Sequence, residues 1–446
     1  MQIINQFAAI ASNYIAALDE ARVYPAQMSI DDLTQFDHPL QPDPIDPQQV
    51  LQLLDEIGSP ATVKSSSGRY FGFVIGGSLP AAMAANLLTA VWDQNAGLTV
   101  MSPVSSKLET IAAKWMIELF GLPANCGYGF VTGDTMANFT ALAAARHQLL
   151  KNAGWDVEAN GLFNAPEITV IVGEEVHVSV LKALSMLGFG RDRILKVPAD
   201  NQGRMIAGLI PSTSGPAIIC THAGNVNTGA FDPLKEICIN NRKENVWIHV
   251  DAAFGLWAAA SPEKKYLTDG MELADSWATD AHKWLNAPYD CGLVFVRQQA
   301  ALYAAMSANA AYLPQGTLRE PLQYVPEMSR QSRAIPVWAA LKSLGTKGLT
   351  EMIDRNCAQA IQFAQALTVA GFTVLNEVVL NQVMVSFGEA KFTEAVIKKV
   401  QAAGVCWCGG TVWQGKTAMR ISVSGWNTKD EDVKRSLESI LLHASN

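Results

Sequence analysis

Lys283 stands in an otherwise apolar, strand-like stretch, DSWATDAHKWLNAPYDCGLVFVR (residues 275–297). Asp280 and His282 come just before it, and CGLVFV, a run built for burial, follows. Lysine is rarely taken out of water without a partner or a task. Three other stretches carry polar groups in comparable settings. Asp251 ends the hydrophobic run of VWIHVDAAFG, and in an α/β sheet the carboxyl end of a strand is where ligands bind. FVTGDTMAN (130–138) reads as a strand passing through Gly133 into a helix. Such a turn offers free backbone N–H groups and a helix dipole to an anion. His177, in EEVHVSVLKALSMLG, lies at a strand-to-helix junction.

Singly, each group has an ordinary structural use, as a helix cap, a core histidine or an aspartate bonded to backbone N–H. Together they match the needs of one cofactor. The phosphate of pyridoxal phosphate takes N–H donors, its pyridinium nitrogen takes an anionic partner, and its aldehyde takes an amine of lowered pKa. Desolvation and a nearby cationic ring would disfavour the Lys283 ammonium and make the amine nucleophilic near neutral pH.

Such groups need a scaffold, and the punctuation of the chain predicts one. SPVSSKLETIAAKWMIELFGLP carries a capping box, Ser106 with Glu109, then a helical period, then Gly121 and Pro123 as stops. GYGFVTG, ITVIVG, RILKVP, AIICTHAG, VWIHVDAAF and GLVFVR read as strands alternating with helices. Continuous Val/Ile/Phe runs in that alternation predict an α/β domain over 101–340, its mostly parallel sheet covered on both faces. After RAIPVWAALKSLG a long helix runs to Gly371. FTVLN, QVMVSFG and KTAMRISVSG then read as strands between helices, a small α+β domain over 341–446. The first hundred residues read as a helical, Pro-rich segment with QPDPIDP as a linker.

The 446 residues carry 33 basic and 41 acidic side chains, a formal charge of −8, which gives no electrostatic footprint for nucleic acid. No basic run or 20-residue apolar stretch suggests a membrane partner, and the opening MQIINQFAAIASNYIAALDEA reads as an amphipathic helix, not a signal peptide. Seven scattered Cys, including the pair Cys406 and Cys408 on one face of an expected strand, show no zinc spacing. No metal site is expected, and buried thiols in a reducing cytoplasm are.

The stretches TGDTMANFTALAAAR, VHVSVLKA, NTGAFDPL, HVDAAFG, DAHKWLN and MRISVSGWNT, with YFGFVIGGSLP near residue 70, resemble the pyridoxal-phosphate-dependent group II amino acid decarboxylases. That family has the fold-type-I architecture of the aspartate aminotransferase superfamily, and the resemblance covers nearly the whole chain. It implies that Lys283 forms the internal Schiff base and that Asp251 pairs with the pyridinium nitrogen. It also implies that His177 stacks on one ring face and Ala253 packs under the other. Gly133, Asp134, Thr135 and His282 would hold the phosphate, and Asn225 would stand near the cofactor hydroxyl or the substrate carboxylate. Relatives commonly carry a small residue where this chain has Asp134. A carboxylate aimed at a phosphate dianion would repel it, so the side chain is expected to turn away and cap the following helix.

The resemblance favours decarboxylation of an L-amino acid by a homodimer. It further implies a proton donor on a mobile loop reaching across the dimer interface, with Tyr324 as the nearest counterpart and Tyr312 as a second. A carbon–carbon lyase and an aminotransferase would use the same electron sink, the latter with Arg420 on the substrate carboxylate. A catalytically silent pyridoxal-binding protein is the reading of another class, and the intact Lys283 and Asp251 argue against it. For the substrate side chain, Tyr70, Phe71 and Phe73 suit an aromatic or bulky group, whereas Arg69 would suit an acidic one.

Overall fold

A computed structural model describes residues 1–308 and 318–445. The chain divides into two compact units, residues 78–358 with 376–382, and residues 1–77 with 359–375 and 383–446. This differs from the three consecutive segments expected at 1–100, 101–340 and 341–446. Among the described residues no helix is long and apolar enough to cross a membrane.

The larger unit is built on a seven-stranded sheet. In chain order its strands are β1 (Gly127–Val131), β2 (Thr169–Gly173), β3 (Leu195–Val197), β4 (Ala217–His222), β5 (Val246–Asp251), β6 (Ser276–Asp280) and β7 (Gly292–Val296). Their spatial order is β1-β7-β6-β5-β4-β2-β3, parallel from β6 through β3, with β7 antiparallel to both of its neighbours. Every residue of β4, β6 and β7 is buried, as the unbroken apolar runs require of a sheet covered on both faces. The helix Asp134–Asn152 supplies much of the cover. Its small residues Ala137, Ala141, Ala144 and Ala145 share one core with Val131, Val172, Ile218 and Val294.

The helix Pro103–Leu119 begins earlier than the Ser106–Glu109 box suggests. Ser102 is its N-cap, with Oγ accepting from Ser105 N–H at 3.4 Å, and Pro103 takes the first helical position, where no N–H is needed. Glu109 is thereby free for a buried ion pair with Arg330 at 2.6 Å and a second with Arg319 at 3.0 Å. Arg330 also donates to the Phe130 carbonyl and Arg319 to that of Tyr128, which ties β1 to this helix.

In the smaller unit, β8 (Thr373–Val374), β9 (Gln382–Ser386), β10 (Gly409–Trp413) and β11 (Lys416–Ser422) form a four-stranded sheet in the order β10-β11-β9-β8. The helices Ala390–Ala403 and Asp430–Ala444 belong to the same unit. The strand expected at Cys406 and Cys408 is displaced toward the C-terminus: β10 starts just after that pair, and both cysteines are buried. The N-terminal residues pack here and not as a separate segment: Val23 N–H donates to the Gly404 carbonyl at 2.8 Å. Arg69 is consumed by the same packing. Its guanidinium donates to the carbonyls of Val405, Asp19 and Ala21 and lies 3.7 Å from Asp432.

Removing one partner from a buried ion pair strands the other charge, at a cost of about 3–5 kcal/mol. Glu109→Ala should lower the unfolding free energy by that order in urea titration. A stability equal to wild type would mean that the pair with Arg330 does not hold β1.

Candidate active site

Neighbouring parallel strands deliver their last residues to one edge. His222 ends β4, Asp251 ends β5 and Asp280 ends β6, and His222 pairs directly with Asp251 in the register. His177 follows β2 and caps the helix Val178–Met186, its Nδ1 accepting from Ser179 N–H at 3.3 Å. Lys283 comes three residues after Asp280 in the turn toward β7, its side chain 18% exposed. One cavity is lined by Lys283, Asp251, His177, His222, Asn225 and Ala253. This is the strand edge at which open α/β sheets bind ligands.

The charges around Lys283 are close together. Its Nζ lies 3.1 Å from Asp280 Oδ2. Burial, the largest single influence, pulls the lysine pKa down, but Asp280, Asp134 and Asp251 together reverse this and hold it above its ordinary value. The expectation of a lowered pKa is thus not met within the protein's own cluster. Three carboxylates outweigh desolvation.

Asp251 is buried, with Oδ1 accepting from Ala253 N–H at 3.2 Å. Burial first, then the Asp134 charge, push its carboxyl well above the usual range. Asp134 does not turn away to cap its helix. Gly133 is the N-cap residue, and Asp134 Oδ2 accepts from Asn138 Nδ2 and from Ser179 Oγ, each at 2.9 Å. These bonds swing the carboxylate inward beside Asp251 and His177, and its Oδ1 is buried without a hydrogen bond. Its pKa is raised by burial and by Asp280.

Asp280 faces the backbone N–H of Asp134 at the start of the helix Asp134–Asn152, the turn expected to hold a phosphate. His282 completes that corner. Its Nδ1 accepts from Cys291 N–H at 3.0 Å, which leaves the proton on Nε2, 3.5 Å from Asp280 Oδ1. Burial, with Lys283 next, lowers the His282 pKa to about 4, so the ring is neutral at pH 7. Thr135 lies in the first turn of the same helix. A Cβ at Gly292 would stand 2.4 Å from the Gly133 carbonyl carbon, so only glycine lets β7 lie against this turn.

The residues present fit pyridoxal phosphate. A buried aspartate ends a strand, a lysine faces the cavity with a histidine beside it, and a helix start is already receiving a carboxylate. The inward Asp134 and Asp280 would repel a dianion if both were ionised. Burial raises both carboxyls, and the Lys283 ammonium 3.1 Å from Asp280 offsets part of their charge.

The remaining expected residues have surroundings of their own. Tyr324, expected on a mobile loop, is 7% exposed in the core, its hydroxyl accepting from Gln299 Nε2 at 3.1 Å and its ring under Arg319. Tyr312 lies outside the described residues. Tyr70, Phe71 and Arg420 belong to the smaller unit. There Phe71 is fully buried edge-on to Phe363, Tyr70 stacks on Trp407 at 5.2 Å, and Arg420 sits on β11 with its pKa lowered by burial. Asn225 is buried, and its Oδ1 accepts from Asn227 and Thr228 N–H. Sequence reasoning missed His222, Ser179 and Asn138. His222 ends a strand as Asp251 does, and that shared position was the available signal.

A lysine, an aspartate and a histidine gathered at the carboxyl edge of a mostly parallel sheet define a pyridoxal-phosphate type of site. The chain belongs to the pyridoxal-dependent decarboxylase family, whose conserved domain matches residues 31–387. It is 31% identical over 311 residues to the acidic amino acid decarboxylase GADL1 of Xenopus tropicalis, covering 67% of this chain and 60% of that one. It is 28% identical over 382 residues to the L-2,4-diaminobutyrate decarboxylase of Rhizobium meliloti, covering 80% of this chain and 74% of that one. The chain thus spans about 60% of the length of the acidic amino acid decarboxylase it matches. The crystal structure of Oryza sativa TDC with PLP and tryptamine shares the fold, with a TM-score of 0.90 at 20% identity over 100% of this chain and 97% of that one.

Removing one of the three carboxylates should release Lys283 toward its neutral form. In the cofactor-free protein, Asp280→Asn should lower the pH midpoint of Lys283 reactivity toward an aldehyde probe by about one unit or more, read by peptide mass spectrometry. An unmoved midpoint would show that Asp280 is not the lysine's principal counter-ion.

Proposed function

We propose that the protein decarboxylates an L-amino acid with an aromatic or bulky side chain, using pyridoxal phosphate and acting as a homodimer. The observation that carries the reading is Lys283 in one cavity with Asp251 and His177. When bound, pyridoxal phosphate supplies the electron sink for the pair left behind as carbon dioxide departs. Lys283 would be the amine that holds the cofactor, and the buried Asp251 would keep its ring nitrogen protonated. His177, fixed by its bond to Ser179, and Ala253 would flank the ring. Gly133, Asp134 and Thr135, at the start of one helix, and His282, through Nε2–H, offer donors to the phosphate.

The relatives are named for acidic and diamino substrates, and one structure with this fold holds tryptamine, so the side-chain preference rests on this chain's own residues. Arg69, which could have met an acidic group, already donates to backbone carbonyls. Phe73 instead presents a ring that is 58% exposed beside Trp407, with Phe73 and Val74 both at positive φ. Consecutive non-glycine residues in that region are strained, as residues held for function often are. Homodimer formation is supported by an apolar surface on and after the helix Pro80–Trp92, where Leu87, Leu88, Val91, Trp92, Val100 and Met101 are exposed.

The test is assay of amine and carbon dioxide from each of the twenty L-amino acids with the loaded protein, whose sedimentation should be that of two chains. Amine should form from aromatic or bulky substrates, and Asp251→Ala should lose about 10²–10³-fold in turnover with a smaller loss of cofactor binding. Pyridoxamine formation without amine, or near-native turnover in Asp251→Ala, would overturn the reading. A preference for acidic substrates would overturn only its side-chain part.

A further inference from the structure

A buried line of hydrogen bonds enters the site from behind Asp251, through residues the proposed function does not use. Trp247 Nε1 donates to Ser276 Oγ at 2.8 Å, and Ser276 Oγ lies 2.9 Å from His249 Nδ1. His249 Nε2 lies 2.7 Å from Asn138 Oδ1. Asn138 Nδ2 then reaches Asp134 Oδ2 at 2.9 Å and Asp251 Oδ2 at 3.5 Å, with Ser179 Oγ at 3.3 Å. Trp247, Ser276, His249 and Asn138 are all buried.

The donors in this line can run in one direction. An indole N–H only donates, so Ser276 Oγ accepts from Trp247 and can still either donate to His249 Nδ1 or accept from it; the other end of the line decides which. With the Asn138 NH2 turned to the Asp134 and Asp251 carboxylates, its carbonyl faces His249 and can only accept, so His249 carries its proton on Nε2 and its bare Nδ1 takes the Ser276 hydroxyl proton. The Nε2–H bond fixes the amide, and the Asn138 NH2 is left pointing at the two carboxylates. The line needs His249 to be neutral, and burial lowers its pKa to about 3. The sequence gives a reason for the geometry: His249 and Asp251 are two apart on β5, so their side chains leave the same face of the sheet, toward Asn138 one turn into the helix Asp134–Asn152.

We propose that His249 is a positioning residue, which through its Nε2–H locks the Asn138 amide so that a fixed donor faces the Asp251 and Asp134 carboxylates. A flipped amide would instead turn its carbonyl on those carboxylates, with repulsion in a site that water cannot relieve. The inference deepens the proposed function, since Asp251 is the group that reading places on the ring nitrogen, but it concerns bonds the protein makes without the cofactor.

The test therefore begins with the cofactor-free protein. With ¹⁵N-labelled histidine, His249, assigned by its loss in His249→Gln, should show its proton on Nε2 and no titration between pH 5 and 9. With aspartate labelled at the carboxyl ¹³C and Asp251 assigned through Asp251→Asn, His249→Leu should raise the Asp251 midpoint by about one unit. His249→Gln, whose amide N–H can replace Nε2–H, should restore most of that shift, which a loss of packing alone would not do. Pyridoxal phosphate should bind about tenfold more weakly to His249→Leu and nearly normally to His249→Gln. A proton on Nδ1, or the same Asp251 midpoint in all three proteins, would overturn the inference. If His249→Leu does not fold, the tautomer and the His249→Gln midpoint decide. If the midpoints move as stated but no variant nor the wild type binds pyridoxal phosphate, the positioning role stands and the proposed function falls.

Discussion

The ammonium of Lys283 faces three buried carboxylates, those of Asp280, Asp134 and Asp251, and the rest of the site is arranged around that excess of negative charge. Four charged groups cannot share a poorly hydrated space unless each is matched or neutralised. Lys283 answers Asp280 directly at 3.1 Å. Asn138, Ser179 and the backbone of Ala253 answer the other two with neutral donors, and burial raises all three carboxyls toward their protonated forms.

Fold and charge are linked through the sheet edge. Parallel strands end side by side, so consecutive strands bring His222, Asp251 and Asp280 together with no need for a long loop. The helix Asp134–Asn152 starts at the same edge, and its dipole offsets part of the negative charge there. Gly292 allows β7 to press against the first residue of that turn. The Glu109–Arg330 pair holds β1, the strand that leads into it.

Much of this was legible in the sequence, for a physical reason. Strands buried on both faces must be written as unbroken Val, Ile and Phe runs, so a polar residue at the end of one, such as Asp251, stands out. Lys283 is legible in the same way, as a charge inside an apolar word. Side-chain direction was not legible, because it is set by partners distant in the chain. Asp134 turns inward for Ser179, and Glu109 leaves the expected capping box for Arg330. Tyr324 reads as a loop aromatic but is packed in the core between Arg319 and Tyr303. Phe71, in an aromatic stretch that suggested substrate binding, is core of the smaller unit. The division of the chain was hidden for the same reason, since residues 1–77 share a unit with a sheet whose strands come three hundred residues later.

The central claim is that Lys283 is the one amine that receives the cofactor. Borohydride reduction of the pyridoxal-phosphate-loaded protein, followed by peptide mapping, tests it most directly. The account predicts a single phosphopyridoxyl group, on Lys283. Label on any other lysine, with Lys283 unmodified, would contradict it.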